Sequence, residues 1–191
     1  MSKFRLEPFN TENAALVLNI RNAENVRANS FNSEPVSPEE HRAFLERLAN
    51  TPGKGYFVVY YDDILAGTFN ISVDGDSAYW GCALHPDARN IPGLFIGLVL
   101  LSGRIAFENM ALQSIRSEVL DHNTAPIKVN SYLKIPVTGK EPLEGADREQ
   151  GYAIQYRLDL EAWPDVKKRA ERLMSKTMFS AALSCSTRLD A

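Results

Sequence analysis

The residues with the widest chemical reach in this chain fall in three places. The first is Glu40-His41, inside a helix start at Ser37-Pro38. His41 titrates near neutral pH and could move a proton or orient a substrate, although a solvated helix face would suit it as well. Glu40 suits the positive end of that helix. The second is the stretch His85–Phe95, which joins a strand to a long apolar segment. A loop entering a helix N-terminus offers unpaired backbone N–H groups and a positive dipole end, and both favour phosphate oxygens. Arg89 adds a cation there, and Gly93 permits close backbone approach. The third is the polar segment 21–36, RNAENVRANSFNSEPV, where Asn22, Asn32 and Ser33 suit a ligand's hydroxyl groups. Tyr79 and Trp80 alternate on a strand, so one faces a cleft and the other the core. An aromatic ring in a cleft can stack on a base or a sugar face. Cys82 has no acid–base partner nearby in sequence and reads as a small strand residue.

Composition removes several function classes. The 191 residues are 45% hydrophobic and 24% charged, which suits one core without covalent staples. A formal net charge of -3 lacks the basic excess of a nucleic-acid binder. The two cysteines, Cys82 and Cys185, lie far apart and fit a reducing compartment. The three histidines are scattered without metal-ligand spacing, so no metal is expected. The N-terminus has no signal-like apolar core, and the most apolar run, Ile91–Leu101, is too short to span a bilayer. The expected setting is the cytoplasm, with no membrane partner.

The elements that must position these groups follow from periodicity and caps. Residues 4–9 read as a strand, followed by a helix on which Ala14, Leu16, Val17 and Ile20 share a face. A long polar loop over 21–36 inside a compact domain suggests function. Ser37-Pro38-Glu39-Glu40 is a capping-box start for a helix with Phe44, Leu45 and Leu48 inward. Strands are expected over 56–61, 64–73 and 77–84, the last two joined by a hairpin at Asp74-Gly75-Asp76. Pro86 ends the third of these. A long apolar helix, a strand over 113–120, a short helix over 124–134, a loop over 136–150 and a strand over 152–160 complete the body. From Trp163 the chain reads as helix, with Val166, Ala170, Leu173 and Met174 on one face. This order predicts an α/β (α+β) fold with a central, mainly antiparallel twisted sheet and helices on both faces. Residues 1–162 would form the domain. Residues 163–191 would form a helical extension, docked on the body or on the partner of a homodimer.

Several runs carry a family resemblance: IRNAENVR at 20–27, SFNSEPVSPEEHRAFLERL at 30–48, YFVVY at 56–60, YWGCALHPDARNIPGLF at 79–95 and DHNTAPIKVNSY at 121–132. Together they resemble the GNAT superfamily of acyl-CoA-dependent N-acetyltransferases. Within it, they resemble the amino-sugar N-acetyltransferases of pseudaminic acid biosynthesis. The resemblance spans residues 4–160 and implies acetyl-CoA as co-substrate, with a nucleotide-linked amino sugar as acceptor. It implies that the end of the fourth strand, with Ala83, Leu84 and His85, pairs its backbone with the pantetheine arm. It implies a pyrophosphate loop over Arg89, Gly93, Leu94 and Phe95, and a CoA contact at Asn123. Arg21, Asn22, Asn32 and His41 would line the acceptor side, and Tyr79 could stack there. The family's second loop glycine is replaced by Phe95, Pro92 removes an N–H, and three residues lengthen the loop. Many relatives place a tyrosine acid where this chain has Asn130, with Tyr132 two residues on. His41, Tyr132 and Asn130 are therefore the catalytic candidates. Transfer to a protein N-terminus or another small amine, and a non-catalytic acyl-CoA-binding domain, remain open alternatives.

Overall fold

A computed structural model describes residues 3–143 and 151–185. One seven-stranded sheet runs through the molecule in the order β1-β2-β3-β4-β5-β7-β6. Its strands are β1 Phe4–Pro8, β2 Lys54–Tyr61, β3 Ile64–Asp74, β4 Ser77–Leu84, β5 Ser114–Leu120, β6 Val137–Pro142 and β7 Tyr152–Asp159. Every neighbouring pair is antiparallel except β4 and β5. The mainly antiparallel α/β architecture expected from sequence is the one observed.

The helices are α1 Ala14–Asn22, α2 Glu24–Arg27, α3 Pro38–Ala49, α4 Leu94–Gly103, α5 Thr124–Leu133, α6 Trp163–Leu173 and α7 Lys176–Ser184. α4 is apolar all round because it is enclosed, with Leu98, Leu100 and Leu101 each at most 1% exposed. It lies between the sheet and the α6–α7 pair, and its last turn widens into a π-helical segment, Arg104–Asn109. Gly97 and Gly103 allow this packing. A Cβ at Gly97 would lie 2.8 Å from the Phe4 ring, and one at Gly103 would lie 2.4 Å from the Trp163 ring. Among the described residues no helix is long and apolar enough to cross a membrane.

Four local features differ from the sequence expectation. The 21–36 segment contains α2, one short turn of helix. The expected loop over 136–150 begins with β6, an edge strand that pairs with β7; its residues 144–150 lie outside the described ones. The C-terminal helix is interrupted at Met174, and Ser175 caps α7 by accepting from Met178 N–H. Leu173, expected inward, is 45% exposed because α6 ends there.

Candidate active site

β4 and β5 pair in parallel only over Ser77–Tyr79 against Ser114–Arg116, then separate. β4 continues alone to Leu84, bonded to β3 on its other side. His85 N–H donates to Ala66 C=O at 2.9 Å. The alternation of an antiparallel pair therefore turns the backbone groups of Leu84 and Cys82 to the open edge. Gly67 sets this close approach: its φ is +143°, and a Cβ there would stand 2.0 Å from the Ala83 carbonyl oxygen.

The gap between the two strands opens into a cavity of about 670 Å3 that reaches both sides of the sheet. Its α4 side is apolar, with Phe69, Trp80 and Phe95 in a row of ring contacts near 6 Å. Cys82 is also on the wall. Burial pushes its thiol pKa up to about 12, so it stays protonated and is no nucleophile. Asn123, Pro126 and Asn130 close the cavity from the start of β5–α5 and from α5. Its far end is made by α1, α3 and the 28–36 loop.

That loop is tied down by side chains from α1 and α2. Arg21 Nη2 donates to Asn32 C=O at 2.7 Å and Arg27 Nε to Ser33 C=O at 2.8 Å. Asn22 bonds Val36 in both directions, its amide donating to the carbonyl and its oxygen accepting the N–H, each at 2.8 Å. Asn25 reaches the Leu84 carbonyl at 3.4 Å, and the His122 ring lies 2.9 Å from the Ala28 carbonyl, so the loop is also joined to both open strands.

His41 stands at this end on α3. The helix start is fixed by a full capping box, Ser37 Oγ accepting from Glu40 N–H and the Glu40 carboxylate from Ser37 N–H. The imidazole is 6% exposed. It hydrogen-bonds the Ala14 backbone carbonyl, while its Nε2 is buried without a partner. Burial, only partly offset by the Ala14 carbonyl, holds the pKa below the ordinary histidine value. Arg21 lines the same end with a buried Nη1 that has no partner. Burial and then the nearby Arg27 lower its pKa, a sign of uncompensated positive charge.

The structure thus gathers His41, Arg21, Asn32, Ala83, Phe95, Asn123 and Asn130 around one cavity. It places the other sequence candidates elsewhere. Tyr132 is 65% exposed on the outer face of α5, because Asn130 and Leu133 form the buried face of that helix. The Asn130 amide is bonded to the buried Tyr156 hydroxyl. Asn22 is engaged with Val36 and is not on the wall. Tyr79 lies outside the cavity with its hydroxyl on Glu118. Leu84, His85 and Arg89 sit beyond the cavity, and the His85 N–H is already bonded to β3. Gly93 is the left-handed N-cap of α4, where a Cβ would approach Met174 to 3.1 Å, and Leu94 is buried behind it. Sequence reasoning missed Glu118, Asn70 and Tyr56 on the wall; each occupies an ordinary strand position. Among the described residues no group of three His, Cys, Asp or Glu side chains gathers to hold a metal.

No family model matches the chain. It is similar to the acetyltransferase PseH of Campylobacter jejuni subsp. jejuni serotype O:23/36 (strain 81-176), 23% identical over 122 residues, which cover 63% of this chain and 74% of that protein. Its structure superposes on spermidine N-acetyltransferase from Vibrio cholerae in complex with CoA and spermine, with a TM-score of 0.75 at 15% identity over 85% of this chain and 98% of that one. An N-acetyltransferase from Staphylococcus aureus Mu50 gives a TM-score of 0.67 at 15% identity, over 83% and 99% of the two chains. The fold is that of the GNAT acetyltransferases. The similarity to PseH supports reading the chain as an acetyltransferase.

Proposed function

We propose that this GNAT-fold protein transfers the acetyl group of acetyl-CoA to the primary amine of a nucleotide-linked amino sugar. The observation that carries the acceptor class is the charge at the far end of the cavity. Arg21 offers a buried, unpartnered Nη1; Arg47, Glu34 and Glu40 also line the cavity, and the Glu40 carboxylate is engaged by Ser37 N–H. The unpartnered guanidinium donor suits a phosphate oxygen of the acceptor. The similarity to PseH supports the same direction. A volume of about 670 Å3 suits an acyl thioester arm and a sugar together.

The open edge of β4 fits the amide groups of a pantetheine arm, as a strand edge fits an added strand. The amine nitrogen attacks the thioester carbonyl carbon, the C–N bond forms and the C–S bond breaks with the electron pair on sulfur. The nitrogen gives up one proton and the thiolate gains one, so no redox partner is needed. The amine proton passes to water at the mouth of the cavity, and His41, at the far end with Arg21, is suited to position the acceptor there through its buried, unpartnered Nε2. The free backbone N–H at the open edge of β4 is suited to the oxyanion. Asn130 is suited to donate a hydrogen bond to the leaving sulfur.

The test is thiol release from acetyl-CoA with a UDP-linked 4-amino-4,6-dideoxy sugar beside spermidine. Release with the nucleotide sugar and none with spermidine is expected. His41→Gln should raise the KM for the acceptor by about 2–10-fold, the worth of one hydrogen bond, and leave the KM for acetyl-CoA unchanged. Equal or greater turnover of spermidine would overturn the acceptor assignment.

A further inference from the structure

The strands bordering the gap contribute one charged side chain to the cavity lining, Glu118 on β5; the rest of their share is Trp80, Gly81, Cys82, Ala83, Ser117, Val119 and Leu120. Its carboxylate is fixed by neutral donors on both sides. Gln155 Nε2 donates to Oε1 at 3.1 Å from β7, where Gln155 stands directly opposite Glu118. The Tyr79 hydroxyl donates from β4. Burial and the bond to Glu118 both raise the Tyr79 pKa, so this hydroxyl keeps its proton and remains a donor. The next strand helps as well. Gly139 on β6 faces Gln155, and a Cβ there would meet the Gln155 Oε1 at 2.5 Å. A bulge beside Gly139 sets the spacing. Four strands therefore cooperate to hold one carboxylate in one orientation.

No cation completes this group. Glu118 forms no ion pair among the described residues. Arg116, two residues earlier on the same face, is turned away: its Nη2 bonds Asp74 at 2.9 Å and Ser77 at 2.8 Å, and its guanidinium lies 5.6 Å from the Tyr79 ring centre. Tyr79 and Gln155 are not on the cavity wall, so the donors stand behind the carboxylate and the cavity in front of it. A carboxylate held by neutral donors, facing a cavity and lacking a counter-charge, is complementary to an ammonium group.

We propose that Glu118 is the specificity-determining contact for the acceptor's amine, and that Tyr79 and Gln155 are positioning residues that aim it. This rests on the acetyltransferase reading above. It divides the acceptor's recognition: the amine is held at the gap by Glu118 as the ammonium, loses one proton to water before it attacks and a second after the C–N bond forms, and the acceptor's anionic part lies toward Arg21. The network also gives Tyr79 a role other than stacking.

The experiment compares wild type with Glu118→Gln, Tyr79→Phe and Gln155→Met on the full chain. A panel of amines (the UDP-linked amino sugar, glucosamine and spermidine) first identifies which is acetylated. Steady-state kinetics with that amine and with acetyl-CoA follow, with a melting curve for each variant. Glu118→Gln is expected to raise the KM for the amine by about 10–100-fold, the worth of one charged hydrogen bond, and to leave the KM for acetyl-CoA within twofold. Tyr79→Phe and Gln155→Met should each raise the amine KM by a smaller factor. Isothermal titration of the amine against its deaminated analogue supplies a charge-specific readout: wild type should prefer the amine, and Glu118→Gln should lose that preference. An unchanged amine KM in Glu118→Gln overturns the proposal while leaving the acetyltransferase reading intact. So does a parallel rise of both KM values with a fallen Tm, which would mark a structural role only. No thiol release from wild type with any amine overturns both.

Discussion

Gly67→Ala is the perturbation that bears most directly on how the gap between β4 and β5 is held open. Gly67 sits at the bulge in the β2–β3 pairing with φ +143°, a conformation that disfavours a side chain at a cost of about 1–3 kcal/mol. The added Cβ would stand 2.0 Å from the Ala83 oxygen, 3.0 Å from the Ala83 carbonyl carbon and 3.0 Å from His85 N. All three are backbone atoms, so no rotamer change relieves the clash. β4 must move, which endangers the His85–Ala66 bond, worth about 1 kcal/mol, and adds about 1–3 kcal/mol of overpacking strain. The sum is about 3–7 kcal/mol, or roughly 6–28 °C in Tm for a chain of this size. Gly75→Ala is the control. Gly75 also has a positive φ, +60°, but nothing lies within 4 Å of its added Cβ, so only the backbone cost should appear. Thermal unfolding of both variants separates conformation from contact. Should Gly67→Ala melt no lower than Gly75→Ala, the close approach of β3 and β4 is not what holds the edge in place, and the reasoning fails.

Three further outcomes test the framework around the site. Ser37→Ala removes the cap that starts α3 and should cost about 1 kcal/mol in chemical denaturation; an unchanged midpoint would show that packing alone fixes the helix start. Lys134→Gly should stabilise the protein by about 0.5–1 kcal/mol, because Lys134 ends α5 at φ +61°, where a side chain is disfavoured; a lower Tm would count against this. Glu108 joins the π-helical turn to α6, accepting from Trp163 Nε1 at 2.9 Å and Lys167 Nζ at 2.8 Å. Burial pushes its pKa up, but those two bonds and the charges of Lys167 and Arg104 outweigh it, and the net shift is downward. A carboxyl lowered in the folded state adds stability above its unfolded pKa of about 4.3 and loses it as pH falls through the lower folded value. The Tm difference between wild type and Glu108→Gln should therefore hold from pH 7 to 5 and close below about pH 4; a difference that persists at pH 3 would show that the charge is irrelevant.

The parts of the fold that were legible in sequence are those whose burial imposes a pattern. β2, β3 and β4 carry apolar residues because they lie under helices, and α3 announces itself through Ser37 and Pro38. β6 was not legible because its residues are nearly all exposed: VTGKEP has no buried face to write an alternation, and it contains a glycine and a proline. α2 is four residues long, too short for a helical period. The split between α6 and α7 turns on Ser175 as a cap, a signal hidden inside an otherwise helical run. For the site, His41 could be proposed from its type and position. The state that makes it interesting, a buried ring beside Ala14 with Nε2 unpartnered, comes from α1 and α3 packing together and is invisible to local sequence. Tyr132 was the more natural acid by residue type, but Asn130 and Leu133 form the buried face of α5, which leaves Tyr132 on the outer side. Glu118 was hidden differently: its donors lie 39 residues before it and 37 after it, on other strands.

The open edge of β4 is costly for the folded protein taken alone. Backbone groups at Cys82 that pairing with β5 would have satisfied are left to the cavity, while the Leu84 carbonyl takes only a long bond from Asn25; each buried polar group without a partner costs about 1–3 kcal/mol. A sheet could avoid the cost by closing β4 onto β5 along their full length. It does not, because the Gly67 approach draws β4 toward β3 while the Gln155 and Tyr156 side of β7 holds β5 along its whole length. The groups that can act on a ligand in the gap then come from elements far apart in sequence: His41 from α3, Asn130 from α5 and Glu118 from β5. None of the three can do useful chemistry without the gap, and the gap has no stabilising role that a closed sheet would not fill better. On the proposed function, the amides of the acetyl-CoA arm would complete the edge. Acetyl-CoA at 100 times its dissociation constant should accordingly return about 2.7 kcal/mol of stability.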